Sequence, residues 1–171
     1  MSESLTITQT QFTNRVEQSA NPKYIGRTAS DYYALRCAFT PSKRLRSVSI
    51  TVKYTSDYNQ ENTTFRYKQQ NDCPTNGSTS GTSFTFSSKT ATVTVTGDFL
   101  AGTTYYVWFW SSGSVGYVYY LTVTGTGELS GLVHIDTGSG WVDYEVYIDD
   151  GANWVRYLPY VDNGASWDLM A

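Results

Sequence analysis

The sequence has few of the residues that most often carry metal binding, redox chemistry or nucleophilic catalysis. Its 171 residues include two cysteines and a single histidine, His134. It contains no Cys/His/Asp cluster with metal-ligand spacing, no phosphate-binding glycine loop and no G-x-S-x-G motif. A Ser-His-Asp triad would have to use His134, which flanks a turn. We therefore expect a protein without catalytic residues, cofactor or bound metal.

Charged residues are also scarce. They make up 16% of the chain, against about 25% in an average domain. The net charge is -3, which makes nucleic acid and anionic membranes unexpected partners. The one dense basic stretch, "SKRLRS" at Ser42–Ser47, lies between strand-like runs and is interpreted as a solvated turn.

Long apolar runs are missing as well. No stretch approaches the roughly 18 apolar residues of a membrane-spanning helix. The N-terminus "MSESLTITQTQF" has no positively charged segment followed by an apolar one, so we expect no secretory signal. Cys37 and Cys73 are then expected to be reduced rather than paired. A protein assembled in a cytoplasm and acting outside it, such as a virion component, fits these features.

What the sequence does contain is alternation of apolar and polar residues. "RSVSITVKY" places Val48, Ile50 and Val52 on one side, and "TATVTVTG" repeats the pattern. Roughly eight such runs, separated by Gly, Asn, Ser and Pro turns, predict an all-β protein. We expect residues 1–129 to form a β-sandwich, with a jelly roll as one form of it. The hydrophilic segment 71–83 is predicted to be a mobile surface loop.

One run, "YYVWFW" at 105–110, carries aromatic residues on both faces. Tyr106, Trp108 and Trp110 share the face opposite Tyr105 and Phe109. Because a sandwich strand buries one face, the second aromatic face indicates a ligand platform, a subunit interface or burial under a loop. Burial is the favoured interpretation, and the three residues are candidate ligand or interface aromatics.

A 13-residue repeat occupies residues 130–171. Its three copies read "HIDTGSGW", "YIDDGANW" and "YVDNGASW", with Asp136, Asp149 and Asp162 in one column. Each D-x-G is typical of a turn, in which Asp accepts backbone N–H bonds and Gly takes a positive φ. The eight-residue segments between turns predict an antiparallel meander of about four strands. Its candidate ligand or interface aromatics are Trp141, Tyr147, Trp154, Tyr160 and Trp167.

The repeat also predicts contacts and excludes a protease. With turns at alternating ends, Trp141 should meet Tyr160, and Tyr147 should meet Trp154. Pro159 should lie at an edge or bulge, because it cannot donate to a ladder. "DTGS" at 136–139 is found in aspartic proteases, which need two aspartates sharing a proton. Successive copies lie at opposite ends of the meander, so a turn is the better interpretation.

The segment "YIDDGANWVRYLPYVDNGASWDLMA" resembles the C-terminal hairpin repeats of virion proteins from tailed bacteriophages of Gram-positive, Clostridium-like bacteria. In those proteins "YIDNGSSW"-type units recur at similar spacing. The resemblance covers 131–171, and more weakly "FLAGTTYYVWFW" at 99–110, while His134 departs from the aromatic column. It implies a tail, baseplate or capsid accessory protein located in the virion, and no catalytic residues.

These features lead to two hypotheses for function. The first is a non-enzymatic virion protein that binds other virion proteins and forms homo-oligomers, with a trimer as one arrangement. Host-surface attachment through a glycan is compatible with it. The alternative is a β-sandwich carbohydrate-binding module built on Trp108 and its neighbours.

Overall fold

The computed structural model describes residues 2–19, 23–55, 61, 63–111, 118, 121–130, 132–157, 159–162 and 167–169. All regular secondary structure in these ranges is β-strand, and no helix occurs in them. The predicted all-β class is confirmed. The sequence "SGSVG" at 112–116, which is typical of a hairpin turn, lies outside the described residues.

Eleven strands are described up to Leu129, more than the roughly eight that turn spacing predicts. The additional strands are short ones such as Val16–Gln18 and Gly26–Arg27, which are too brief to show alternation. The strands are β1 Ser2–Leu5, β2 Thr8–Thr13, β3 Val16–Gln18, β4 Gly26–Arg27, β5 Tyr32–Phe39, β6 Leu45–Lys53, β7 Phe65–Gln69, β8 Thr82–Phe84, β9 Thr90–Phe99, β10 Tyr105–Ser111 and β11 Thr122–Leu129.

The first sheet has four antiparallel strands in the order β1-β11-β6-β9. Its alternation follows the sequence. Val48, Ile50 and Val52 are fully buried, while the hydroxyls of the intervening residues lie on the outer face. There Thr51 Oγ1 lies 2.9 Å from Thr92 Oγ1, a cross-strand hydrogen bond. One face of this sheet is therefore available for packing, and it is apolar.

The second sheet has the order β3-β2-β5-β10-β7-β8, with β4 also pairing with β5. Its central strands β5 and β10 are antiparallel, with Val107 opposite Cys37 and Trp108 opposite Arg36. Two rows of side chains result. Leu35, Cys37 and Phe109 point to one face, and Arg36 and Trp108 point to the other.

The two sheets pack face to face over one hydrophobic core. Val48 and Val95 from the first sheet and Leu35 and Phe109 from the second belong to the same buried cluster. Aromatic rings join the sheets, as where Phe39 and Phe99 meet edge to face at 5.6 Å between centroids. This arrangement is a β-sandwich, as the alternation predicts.

Glycine allows the close approach of β11 to the core. An ideal Cβ built on Gly127 would lie 2.2 Å from Leu45 Cδ1, far inside van der Waals contact. Leu45 is itself fully buried and has little room to move. Gly127 therefore fixes how closely Leu45 packs under the β11 backbone.

The repeat segment forms two further small sheets. Strands β12 Leu132–Asp136, β13 Trp141–Asp149 and β14 Trp154–Tyr157 form a three-stranded antiparallel sheet, and β15 Tyr160–Asp162 pairs with β16 Trp167–Leu169. The prediction of one meander of about four strands is therefore not confirmed by the described residues. No pairing of β14 with β15 occurs among the described residues. Pro159, which lacks an N–H to donate, lies between those two strands.

Strands up to Leu129 pair with one another, and strands from Leu132 onward pair with one another. This pairing is compatible with the predicted division into residues 1–129 and 130–171. The division itself stays a prediction.

Candidate functional site

The aromatic strand β10 directs its two tryptophans away from the core between the sheets. Trp108 and Trp110 nevertheless expose only 2% and 0% of their surface. They form a second buried cluster with Phe12, Tyr32 and Ala34 on the outer face of the second sheet. Phe12 and Trp108 lie 4.8 Å apart between ring centroids. The aromatic second face is thus itself a small core.

The segment 70–81 covers that cluster. Trp108 Nε1 donates a hydrogen bond to the Gln70 carbonyl at 3.1 Å, and Trp110 Nε1 donates to the Ser78 carbonyl at 3.0 Å. Arg66 Nη1 donates to the Gly81 carbonyl at 3.1 Å, which holds the end of the segment against β7. Because both indole N–H groups are satisfied by this backbone, the segment is a tied cover over the tryptophans.

This cover bears on two expectations, and for Trp108 and Trp110 the structure has the favoured one, burial under a loop, in place of the ligand platform. Trp108 and Trp110 offer no exposed ring face, so they do not form a ligand platform in this structure. The polar composition of 71–83 predicts a mobile loop, but the Ser78 carbonyl of this segment and the carbonyl of the preceding Gln70 accept the two indole N–H groups. The reason is that turn-rich segments have many free carbonyls, and hydrophilicity alone does not reveal what they accept from.

Cys73 lies within the same cover and packs against the tryptophan cluster. Burial raises the pKa of its thiol to about 11, although the neighbouring Arg15 lowers it somewhat. Burial also raises the pKa of Cys37, which belongs to the core on the opposite face of the sheet. Both are free thiols, as expected, and the sheet lies between them.

Tyr106 is the one candidate on β10 that stays partly exposed. It lies opposite Ala38, and Thr8 of β2 lies opposite the same Ala38. These residues line a groove of about 430 Å³ that also includes Thr40, Thr104 and Arg36. The Arg36 guanidinium carbon lies 4.9 Å from the centroid of the Tyr106 ring. The groove is where the outer face of the second sheet remains uncovered.

Sequence reasoning did not identify Arg36. It is the single charged residue in "YALRCAF", at the position that alternation assigns to the outer face. A cation placed beside an aromatic strand is a signal for a cation–π contact. That signal requires knowing that β5 and β10 are neighbours, which is a matter of topology.

The aromatic residues of the repeat are mostly exposed. Trp154 exposes 70% of its surface, Tyr147 47% and Tyr160 41%. Trp141 and Trp167 begin β13 and β16, and their side chains lie outside the described residues. Of the five repeat aromatics the structure thus describes three side chains, and each of these is exposed.

The predicted aromatic contacts are not direct pairs. Tyr147 lies opposite Arg156 and Trp154 lies opposite Asp149, so Tyr147 and Trp154 are diagonal neighbours. Trp141 lies opposite Asp136, in a sheet different from that of Tyr160. Asp149 and Trp154 form the residue pair next to the turn. Tyr147 therefore lies two residues along β13 from the position opposite Trp154, where the predicted contact would have placed it.

The D-x-G segments are turns, as the repeat predicts for the two copies whose turns are described. Asp149 Oδ1 accepts the Gly151 N–H at 2.9 Å, and Gly151 has a φ of 89°. Asp150 Oδ1 also accepts the N–H groups of Ala152 and Asn153, which lowers the pKa of the Asp150 carboxyl. In the first copy Gly138 has a φ of 79°. The two turns join opposite ends of β13, so "DTGS" lies at a hairpin turn.

One face of the three-stranded sheet is apolar. The register places Val133 opposite Tyr144, Val146 opposite Tyr157 and Ile148 opposite Val155. We define the apolar sheet face as Val133, Ile135, Tyr144, Val146, Ile148, Val155 and Tyr157. Five of its side chains expose 38 to 48% of their surface. At up to ~200 Å² per side chain this is on the order of 400 Å² of exposed surface, about the size of the largest apolar patch on an ordinary monomer, and such patches are often functional.

Two arginines of the basic stretch form ion pairs with carboxylates of neighbouring strands. Arg44 binds Asp98 through two nitrogens, each 2.7 Å from a carboxylate oxygen, and Arg46 binds Glu128. The side-chain hydrogen bonds of these arginines lower the pKa of both carboxyl groups. The basic stretch at 42–47 is thus largely neutralised. Among the described residues, no group of three His, Cys, Asp or Glu side chains has the geometry of a metal site.

Within the described part of the chain, no helix has the length and apolar character needed to cross a membrane. In comparisons with protein-family models, with curated proteins and with solved structures, no match to this chain was found.

Proposed function

We propose that this chain is a non-enzymatic structural protein of a bacteriophage virion, in which the repeat segment mediates assembly. Its place in the particle would be the tail, the baseplate or the capsid surface. The observation that carries the proposal is the apolar sheet face, of which five side chains remain about 38 to 48% exposed. A three-stranded sheet with an uncovered apolar face is marginal in water on its own. Contact with another subunit or another virion protein would cover it.

The sandwich supports the proposal in a different way. Its core is complete, and the tied cover over Trp108 and Trp110 leaves no large aromatic surface on that strand. Residues 2–129 therefore have what an independently folded body needs, and the repeat segment is where exposed apolar surface accumulates. This division of roles suits a particle component that attaches through one end.

The resemblance of the repeat to those of phage virion proteins gives the proposal its biological setting. The corresponding location is the virion, into which the chain would be incorporated in the host cytoplasm. Closed association, such as three copies about an axis, would cover the apolar sheet face without open-ended growth. Other virion proteins are the second class of partner.

The test is co-sedimentation with particles. The full chain, labelled and produced during particle formation, should sediment with purified virions. A chain ending at Leu129 should remain folded, because its strands pair among themselves, and it should stay in the supernatant. If the full chain is absent from particles, or the shortened chain enters them equally, the proposed assembly role is wrong.

A further inference from the structure

The outer face of the second sheet is covered at one end and open at the other. Trp108 and Trp110 lie under segment 70–81, whose first residue already uses its carbonyl to accept the Trp108 N–H. Beyond this point the face continues through Tyr106, Ala38 and Thr8 without a cover, forming the groove of about 430 Å³. That volume is in the range of small-ligand sites.

Arg36 is held in a fixed position at this groove. Its guanidinium carbon lies 5.1 Å from the Phe12 ring centroid and 4.9 Å from that of Tyr106, so two aromatic rings hold it. Its side chain is 27% exposed. A side chain already restrained in this way loses little conformational entropy when it binds a ligand.

The hydrogen-bonding capacity of Arg36 is largely unused. Its Nε is buried and has no hydrogen-bond partner among the residues that the structure describes. The nearest carboxylate is Glu17, whose Oε2 lies 3.9 Å from Nη2 and whose side chain is 59% exposed. At that distance the contact is a weak ion pair. A well-placed anion would bind the guanidinium better than Glu17 does.

The remaining lining determines the kind of ligand. Thr6, Thr8, Thr40 and Thr104 contribute hydroxyls, and among the described residues no Asp or Glu lines the groove. The Thr40 and Thr104 hydroxyls lie 2.8 Å apart and bind each other, which leaves one donor for a ligand. A ligand with several hydroxyl groups, one negative charge and an apolar ring face fits this set of groups.

We propose that the groove binds an acidic saccharide, with its carboxylate on Arg36 and its ring against Tyr106. The planar guanidinium matches a carboxylate in two-point hydrogen bonding, and the aromatic ring suits the C–H face of a sugar. This site goes beyond the assembly role and does not depend on it, since the groove and the apolar sheet face have no residue in common.

The experiment is titration calorimetry of the full chain with three probes. These are a disaccharide of glucuronic acid and N-acetylglucosamine, the same disaccharide with glucose replacing glucuronic acid, and glucose 6-phosphate. The acidic disaccharide should bind at least about tenfold more tightly than each of the others, since only it offers both a carboxylate and two rings. Equal binding of the neutral disaccharide, tighter binding of the phosphate, or no binding of any probe would overturn the proposal.

Variants assign the binding to the groove. Arg36→Lys keeps the charge and the stem but loses the two-point geometry, so affinity should fall about tenfold. Tyr106→Ala should lower affinity by a similar factor, whereas Tyr106→Phe should retain it. Glu17→Gln should tighten binding, because it removes the competing carboxylate. Lys53→Gln, on the other sheet, changes the charge by the same amount as Glu17→Gln but in the opposite sense; it is the control and should have no effect.

Unchanged affinity in Arg36→Lys and Tyr106→Ala would contradict the site. Thermal unfolding of each variant shows whether it is folded before its affinity is compared. The light-scattering mass of the same samples reports assembly separately. A failure of saccharide binding is therefore distinguishable from a failure of the proposed assembly role.

Discussion

The two thiols show how burial sets the chemistry of single residues in this chain. Cys37 lies in the sandwich core, and Cys73 lies on the other face of the same sheet under the cover segment. Burial raises the pKa of both, to about 11 for Cys73. Since the thiolate is the reactive form, neither residue has the properties of a catalytic or redox-sensing cysteine.

We predict that native protein at pH 8 reacts with a disulfide reagent slowly and at one thiol only. Cys73, which is half-buried, should be that thiol, and Cys37 should react only after unfolding. The measurement is the absorbance time course with and without denaturant, and Cys73→Ser is the matched variant. Rapid reaction of both thiols in native protein would contradict the described burial.

The pKa of Asp150 is also set by its surroundings, in this case by hydrogen bonds within a turn. Hydrogen bonds from the backbone of Asn153 and Ala152 lower the pKa of its carboxyl below the ordinary value. Because the pKa of Asp150 is lower in the folded state, its ionised carboxyl stabilises the fold at pH values above the unfolded-state pKa. This stabilisation is lost as the pH falls through the folded-state pKa. The turn at 149–153 should therefore loosen in acid, below about pH 4.

We predict that the Asp150→Ala variant exchanges the Ala152 and Asn153 amide protons faster at neutral pH. In wild-type protein the protection factor of these two amides, which is the intrinsic exchange rate divided by the observed rate, should fall only on acidification. Amide exchange measured by NMR between pH 2.5 and 7 is the check, with Ser139→Ala in the other described turn as the control. A protection factor independent of both pH and substitution would show that the Asp150 bonds do not hold the turn.

At the scale of elements, β10 separates what alternation can predict from what it cannot. Alternation assigns Phe109 to one face and Trp108 to the other, and the structure agrees. What covers Trp108 depends on where Gln70 and Ser78 come to lie, some 30 or more residues earlier in the chain. Such contacts depend on the pairing of β7 with β10, for which the sequence has no local pattern.

The groove at Tyr106 illustrates the same limit. Tyr106 is recognisable as an outward aromatic residue from "YYVWFW" alone. Arg36 becomes its neighbour only through the pairing of β5 with β10, and Phe12 joins through β2. In the repeat the pattern predicts the turns of Asp149 and Gly151, but the break beside Pro159 ends the meander earlier than expected.

We predict that the two tryptophans of contrasting burial differ strongly in their effect on stability. Trp108→Ala should lower the free energy of unfolding by about 3–5 kcal/mol, since it empties a buried site and removes the bond to Gln70. Trp154→Ala, at a position that is 70% exposed, should change it by less than about 0.5 kcal/mol. Urea unfolding curves measure both values. Comparable values for the two variants would contradict the described cover.

At the scale of the whole molecule, the chain contains a sandwich with a buried core and a small sheet that has one exposed apolar face. The sandwich buries its apolar rows between two sheets, and segment 70–81 covers its remaining aromatic cluster. No comparable cover lies over the apolar sheet face among the described residues. Its five exposed side chains form a patch of the kind that is often functional.

The secondary structure content gives a first check at this scale. We predict a far-UV circular dichroism spectrum of a β-rich protein, because the described residues contain strands and no helix. The spectrum of a chain ending at Leu129 should keep the β signal, since its two sheets are complete without the repeat segment. Helix content near the globular average of about 30% would contradict the fold.

The most direct test of the assembly role is the mass of the full chain in solution, measured by light scattering at tens of micromolar. A single chain has a mass of 19.1 kDa, and we predict a closed multiple of it. Substituting Tyr144→Lys and Ile148→Lys together should reduce the mass to that of one chain, because charges on the apolar sheet face prevent its burial. Tyr147→Lys with Trp154→Lys, on the opposite face, should leave the oligomer intact. A full chain that is monomeric, or an oligomer unaffected by the first pair, would contradict self-association through this face.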